Sequence, residues 1–175
     1  MLIIGLGNPG KKYEKNRHNV GRIFVEWLQN KLEMPDFKKD SSSSFYFTKD
    51  VDQNILVYPN NYMNLSGIAA GSSIRYFGIK DLSEVYIAHD DLDIPLGGLK
   101  IDFAKGPKLH NGISSIEEHL KTKDFYRIRI GVDNRNPENR IPGETYVLQN
   151  FDELELQKLE EDVFPRILSR LTLVA

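Results

Sequence analysis

Cysteine is absent from this 175-residue chain, which excludes a disulfide framework, a thiolate metal site and a cysteine nucleophile, and suits a reducing compartment. Long apolar runs are absent too. Nothing approaches the roughly 18 residues needed to cross a bilayer, and Met1-Leu-Ile-Ile-Gly5 leads into a glycine turn without a basic leader. The expectation is a cytoplasmic protein with no membrane partner. An excess of one charge is also lacking, with 23 Lys plus Arg against 25 Asp plus Glu and a formal net charge of -2. Taken alone, that balance argues against a protein held on nucleic acid by a basic surface. What is present is ordinary. The 40% hydrophobic and 27% charged residues suffice for a packed core and are too apolar for disorder. This length predicts a single domain, residues 1–175.

The near-neutral total hides a division along the chain. Residues 1–32 hold six basic and two acidic side chains and residues 100–143 hold nine and six, giving +4 and +3. Residues 33–99 and 144–175 carry -5 and -4. The positive segments contain His18, His110 and His119, three of the four histidines. If they meet in the fold, a positive patch flanks a histidine site; the plain alternative is solvated surface.

The element pattern is α/β. Leu2-Ile3-Ile4 reads as a buried strand stopped by Gly5 and Gly7, and Val20, Ile23, Phe24, Trp27, Leu28 and Leu32 recur at helical spacing over 19–33. Asp40-Ser-Ser-Ser-Ser44 reads as a mobile loop. Segments 45–48 and 55–58 form a predicted hairpin. A helix follows from Asn64 to Phe77, with Leu65, Ile68, Ala69, Ile74 and Phe77 inward. Val85-Tyr-Ile-Ala88 is a predicted strand that ends in His89-Asp-Asp-Leu-Asp93. Strands at 99–103 and 126–132 enclose a helix at 111–120. Asp152 is placed to cap a last helix carrying Leu154, Leu159, Val163, Ile167 and Leu171, which Pro165 should kink or divide.

Three motifs could carry chemistry. Gly5-Leu-Gly-Asn-Pro-Gly10 matches the dinucleotide pattern, but weakly: Pro9 removes a donor N–H, the helix starts too late, and a hairpin follows instead of a parallel strand. His18, at the mouth of the first helix, titrates near neutrality and suits a general base, although a histidine there can simply pack or cap. The acids of 90–93 stand at a strand's carboxyl end, where they could orient a histidine, hold a divalent metal, or merely be solvated. Asn8, Asn19, Asn64 and Asn111 flank these motifs. Asn64 and Asn111 are placed to cap helices, while an amide also suits binding a peptide group or a water.

In order and spacing, Gly5-Leu-Gly-Asn-Pro-Gly10, Tyr13, Arg17-His-Asn-Val-Gly21, Tyr62-Met-Asn-Leu-Ser-Gly67, His89-Asp-Asp-Leu-Asp93, His110-Asn-Gly112 and Phe125-Tyr-Arg-Ile-Arg-Ile-Gly131 resemble the bacterial-type peptidyl-tRNA hydrolase family. The resemblance implies one compact α/β domain with a twisted mixed β-sheet flanked by helices. It implies hydrolysis of the ester of peptidyl-tRNA by a monomer needing no metal or other cofactor. By motif match His18 is the base and Asp90 its orienting carboxylate. Asn111 would hold the water, Asn8 and Asn64 the peptide main chain, Tyr13 the 3′ end, and Met63 the groove. Asn64 or Asn111 could instead face the oxyanion.

Departures from the family pattern fall in the approach to His110. Ala104-Lys-Gly-Pro-Lys-Leu109 keeps one glycine, and Pro107 and Leu109 should stiffen or redirect this loop. Asp102 stands where relatives commonly carry a basic residue, leaving Lys100, Lys105, Lys108 and Arg129 to meet phosphates. Two other readings remain. The altered loop favours a non-catalytic RNA-binding relative, and a metal-dependent hydrolase would use His18, His89, Asp90 and Asp93.

Overall fold

The structure is a computed structural model that describes residues 1–42, 44–139 and 141–171. In chain order the main elements are β1 (Leu2–Gly5), α1 (Val20–Lys31), β2 (Lys38–Lys39), β3 (Phe45–Lys49), β4 (Ile55–Pro59), α2 (Ser66–Tyr76), β5 (Val85–Pro95), β6 (Leu99–Phe103), α3 (Asn111–Leu120), β7 (Tyr126–Asp133), α4 (Gly143–Tyr146), α5 (Glu153–Lys158) and α6 (Phe164–Leu168). They build one seven-stranded sheet in the order β2-β3-β4-β1-β5-β7-β6. β4, β1, β5 and β7 run parallel, while β6 closes one edge antiparallel to β7 and β3, then β2, extend the other in antiparallel pairs. The mixed sheet and the predicted hairpin are both present, with Phe47 opposite Val57.

Each face of the sheet carries its own core. On one side Ile3, Ile128 and Ile130 pack with Phe24 and Leu28 of α1 and with Leu159, Val163, Phe164 and Ile167 of the C-terminal helices. On the other, Leu2, Ile4, Val57 and Ile87 pack with Ala69, Ala70 and Ile74 of α2 and Ile113 and Ile116 of α3. Parallel strands covered on both faces need apolar residues at successive positions, as β1 and the first half of β5 show. α1 lies unusually close to the sheet. A Cβ on Gly21 would come 2.0 Å from the Ala88 carbonyl oxygen, and one on Gly5 would come 2.2 Å from Gly21 O. The first glycine of the dinucleotide-like motif therefore serves helix–strand contact.

Several sequence expectations need correction. His89 to Asp93 do not follow the strand; β5 continues through them to Pro95, because β7 keeps pairing with it as far as Asp91. Leu65 and Ile68 are exposed, since α2 turns Ala69, Ala70 and Ile74 inward. Leu154 is 77% exposed on the first turn after Asp152, which makes a capping box with Glu155. The last helix is divided as Pro165 implies: a π-helical segment, Leu159–Val163, separates α5 from α6. The serine loop falls partly on Ser43, outside the described residues.

Candidate active site

Asp90 stands at the carboxyl edge of the parallel strands, opposite Ile130 of β7. Two helix entries converge on it. A 3-10 turn, Arg17–Asn19, brings His18 to the start of α1, and His110 precedes α3. His18 Nδ1 and His110 Nε2 each lie 2.8 Å from the same oxygen, Asp90 Oδ1. The three residues are buried, at 9%, 6% and 3% exposure for His18, His110 and Asp90.

The protons can be placed by counting donors. His110 Nδ1 accepts from the backbone N–H groups of Gly112 and Ile113, at 3.1 and 3.3 Å, so it carries no hydrogen and the ring proton sits on Nε2, aimed at Asp90. His110, not Asn111, is thus the N-cap of α3. An ionised Asp90 only accepts, so His18 also donates, from Nδ1, and its Nε2 keeps the lone pair. Burial pulls His18 toward the neutral form, but the charge and hydrogen bond of Asp90 outweigh it and raise its pKa above the usual histidine value. Burial also opposes ionisation of Asp90, yet the two histidines hold its carboxyl well below the usual carboxylate range.

His89 is wholly buried behind this pair. Its Nδ1 donates to the Asp90 carbonyl at 2.7 Å, its Nε2 has no partner among the described residues, and its ring is 4.9 Å from that of His110. Burial first, then the neighbouring His110, pushes its pKa down to about 3. The metal reading grouped His18, His89, Asp90 and Asp93; the structure groups His18, Asp90 and His110, with candidate ligand atoms within 4.8 Å of one another. That set fits a metal poorly, because His110 Nε2 carries the proton its backbone-capping Nδ1 cannot.

A cleft of about 440 Å³ opens beside Asp90, with His18, His110, Asn111, Lys108, Leu109 and Val147 in its lining. Asn111 is exposed there, as is Leu109, in the altered loop. The other expected binding residues form a neighbouring group outside this lining. Asn8 is buried, and its backbone N–H and carbonyl are held by the Asn19 amide at 2.8 and 3.0 Å. Its own Oδ1 accepts from Met63 N–H at 2.8 Å, which turns the Nδ2 donors outward. Met63 is buried against Gly112, where a Cβ would meet its sulfur at 2.6 Å. Asn64 is exposed on the turn before α2, and Tyr13 is half-buried, its ring edge-on to Tyr62 at 6.4 Å.

Lys100, Lys105 and Lys108 are exposed. Arg129 is not: its Nε donates to Asp91 at 2.7 Å and its Nη1 to Asp102 at 2.8 Å, and Gly106 packs against its guanidinium. Of the four cations expected to meet phosphates, Arg129 is thus the one engaged by two carboxylates. Arg17, Arg127 and Arg135 are likewise ion-paired, with Glu155, Glu117 and Asp133. The positive charge of the two basic segments is therefore presented mainly by lysines. Sequence reasoning named His89 only as a metal ligand and His110 only as a neighbour of the site, and assigned neither a contact with Asp90. The His110-Asn-Gly112 motif carries the signal in its histidine as well as its asparagine.

The chain's similarities agree with this geometry. The family profile described as Peptidyl-tRNA hydrolase matches residues 2–175. A peptidyl-tRNA hydrolase of Oceanobacillus iheyensis is 40% identical over 166 residues, covering 93% of this chain and 86% of that one. One from Aliarcobacter butzleri is 37% identical over 160 residues, covering 91% and 84%. The crystal structure of peptidyl-tRNA hydrolase from Acinetobacter baumannii superposes with a TM-score of 0.84 at 30% identity, over 99% of this chain and 87% of that one. With the profile spanning nearly every residue and relatives this similar along most of their length, the chain belongs to the peptidyl-tRNA hydrolase family.

Proposed function

We propose that this protein hydrolyses the ester joining a peptide to the terminal ribose of tRNA, with His18 as general base. The observation that carries the reading is the His18 Nδ1 to Asp90 Oδ1 bond of 2.8 Å, which leaves Nε2 free to accept a proton at the cleft. Water loses a proton to Nε2 as its oxygen attacks the ester carbonyl. The tetrahedral intermediate then expels the ribose oxygen, which takes the proton back from the imidazolium, releasing a peptide carboxylic acid and tRNA. Asp90 stabilises the imidazolium between the two steps, and general-base catalysis of this kind contributes about 10²–10⁴-fold. Asn111, exposed in the cleft, is suited to hold the water or the oxyanion. The outward Nδ2 of Asn8 and the amide of Asn64 suit a peptide main chain, beside Met63 and Tyr13. Lys100, Lys105 and Lys108 suit phosphates.

The test is single-turnover release of peptide from peptidyl-tRNA. His18→Ala should abolish release while leaving the fold and binding of deacylated tRNA nearly intact. Substantial remaining turnover would refute His18 as base, and tRNA binding by the wild type without release of peptide would mark a non-catalytic relative.

A further inference from the structure

The residue before His18 is an arginine that the chemistry does not use. Arg17 is buried, and its Nη2 donates to both oxygens of Glu155, at 2.7 and 2.6 Å, across 138 positions of sequence. Its Nη1 donates to the Asn150 carbonyl, and its guanidinium lies 4.4 Å over the Tyr146 ring and 5.2 Å over that of Phe151. The neighbouring backbone follows the same path. Arg17 N–H donates to Gln149 O at 3.0 Å, His18 N–H to Val147 O at 2.8 Å, and Asn16 Nδ2 to Leu148 O. Residues 16–18 are docked along 147–150.

That second segment has little regular structure to hold it in place. Between β7 and α5 the described residues form the turn Pro137–Asn139, the four-residue α4 and a single antiparallel bridge from Asn150 to Asn16. Glu155 closes the loop. Besides Arg17, its carboxylate accepts from Asn134 Nδ2 at 3.2 Å, near the loop's beginning, and from Asp152 N–H at 3.0 Å, near its end. Buried ion pairs are poor devices for stability alone, since apolar residues of similar volume do as well or better. A charge-assisted contact in which one guanidinium nitrogen reaches both carboxylate oxygens, while Nη1 holds the Asn150 carbonyl, instead fixes position.

We infer that Glu155, acting through Arg17, is a positioning residue that sets the His18 imidazole against Asp90 and so ties the C-terminal helices to the reacting centre. The inference rests on the reading of His18 as the base. Loss of the tether lets the 16–18 turn shift against β5, and a displacement of about 1 Å at a reacting group can cost on the order of 100-fold in rate.

The experiment compares Glu155→Gln with Asp152→Ala on peptidyl-tRNA, with the His18 imidazole titrated by NMR. Asp152→Ala removes only the cap that Asp152 Oδ1 gives Glu155 N–H, at 2.8 Å, and leaves the Arg17 contact in place. Glu155→Gln should lower kcat by about 10- to 100-fold, with affinity for deacylated tRNA within about twofold, and should move the His18 titration down toward the ordinary value. Asp152→Ala should lower the melting temperature and leave kcat and the titration unchanged. If Glu155→Gln does not fold, the double variant Arg17→Met/Glu155→Leu replaces the pair with apolar groups and should fold with the same loss of kcat. Wild-type kcat and titration in a folded Glu155→Gln or in the double variant would overturn the inference, as would an equal loss in Asp152→Ala. A wild type that releases no peptide would instead defeat the functional reading.

Discussion

His18 and His110 donate to one and the same oxygen, Asp90 Oδ1, each at 2.8 Å. One carboxylate thereby orients the proposed base and is itself held by the cap of α3. Asp90→Asn keeps the shape but loses the charge that raises the pKa of His18. The expected result is a fall in kcat of about 10²–10⁴-fold together with a downward shift of the His18 titration, read by turnover and NMR. Little change in either would remove Asp90 from the mechanism.

The raised pKa of His18 fixes the sign of the pH dependence. A base must be unprotonated, so kcat/KM should rise with pH through a midpoint above about 6.5, the ordinary histidine value. Stability runs the other way for this group. The His18–Asp90 ion pair contributes fully below the unfolded-state pKa and is lost as pH climbs through the folded-state value. A rate profile already flat below about pH 6 contradicts the assignment.

His89 acts in the opposite sense, because its pKa is depressed to about 3. The folded state resists protonating it while the unfolded chain does not, so stability is full above the ordinary value and declines as pH falls toward about 3. One such group gives a slope of up to about 1.4 kcal/mol per pH unit in that window. Urea unfolding of His89→Phe near neutrality and near pH 4 should show a shallower loss than the wild type. Parallel curves for the two proteins would show that His89 does not drive the acid sensitivity.

Arg129 and the neighbouring lysines should separate cleanly. Lys105→Ala and Lys108→Ala should each weaken tRNA binding and reduce the salt dependence by roughly 0.7 to 0.9 in log–log slope per lost contact. Arg129→Ala should chiefly destabilise the fold, by roughly 3–5 kcal/mol, since it strands the buried Asp91 and frees Asp102. Binding titrations at several salt concentrations, with thermal melts, check both. A stable Arg129→Ala protein whose only defect is tRNA affinity would restore Arg129 to the phosphate contacts.

Gly21 has no room for a side chain, with Ala88 O standing 2.0 Å from where its Cβ would lie. Gly21→Ala must push α1 away from β5, and overpacking of this kind costs about 1–3 kcal/mol. Because His18 stands at the entry of α1, the variant should lose activity as well as melting temperature. Full activity at a lowered melting temperature would show that the 16–18 turn is held independently of the helix.

The sequence by itself determined the local elements and the chemical inventory. Apolar periodicity marks β1, α1 and the 45–59 hairpin because each buries one face or run, a local property of side-chain order. Motif order marked His18 and Asp90 as partners. It could not show that His110 shares the same carboxylate, because that depends on the entries of α1 and α3 meeting at one sheet edge. Nor could it show which cations are free. Arg129 and Lys105 look alike in a charge count, but Asp91 and Asp102 reach only the first. Block charges of +4 and +3 left open whether the two histidine-bearing segments meet, and gave no sign that their arginines are consumed by carboxylates, Arg127 by Glu117 of its own segment and Arg17 by Glu155 from 138 positions away. Ion pairing and proton placement are properties of distance between remote parts of the chain, and only the tertiary structure decides them.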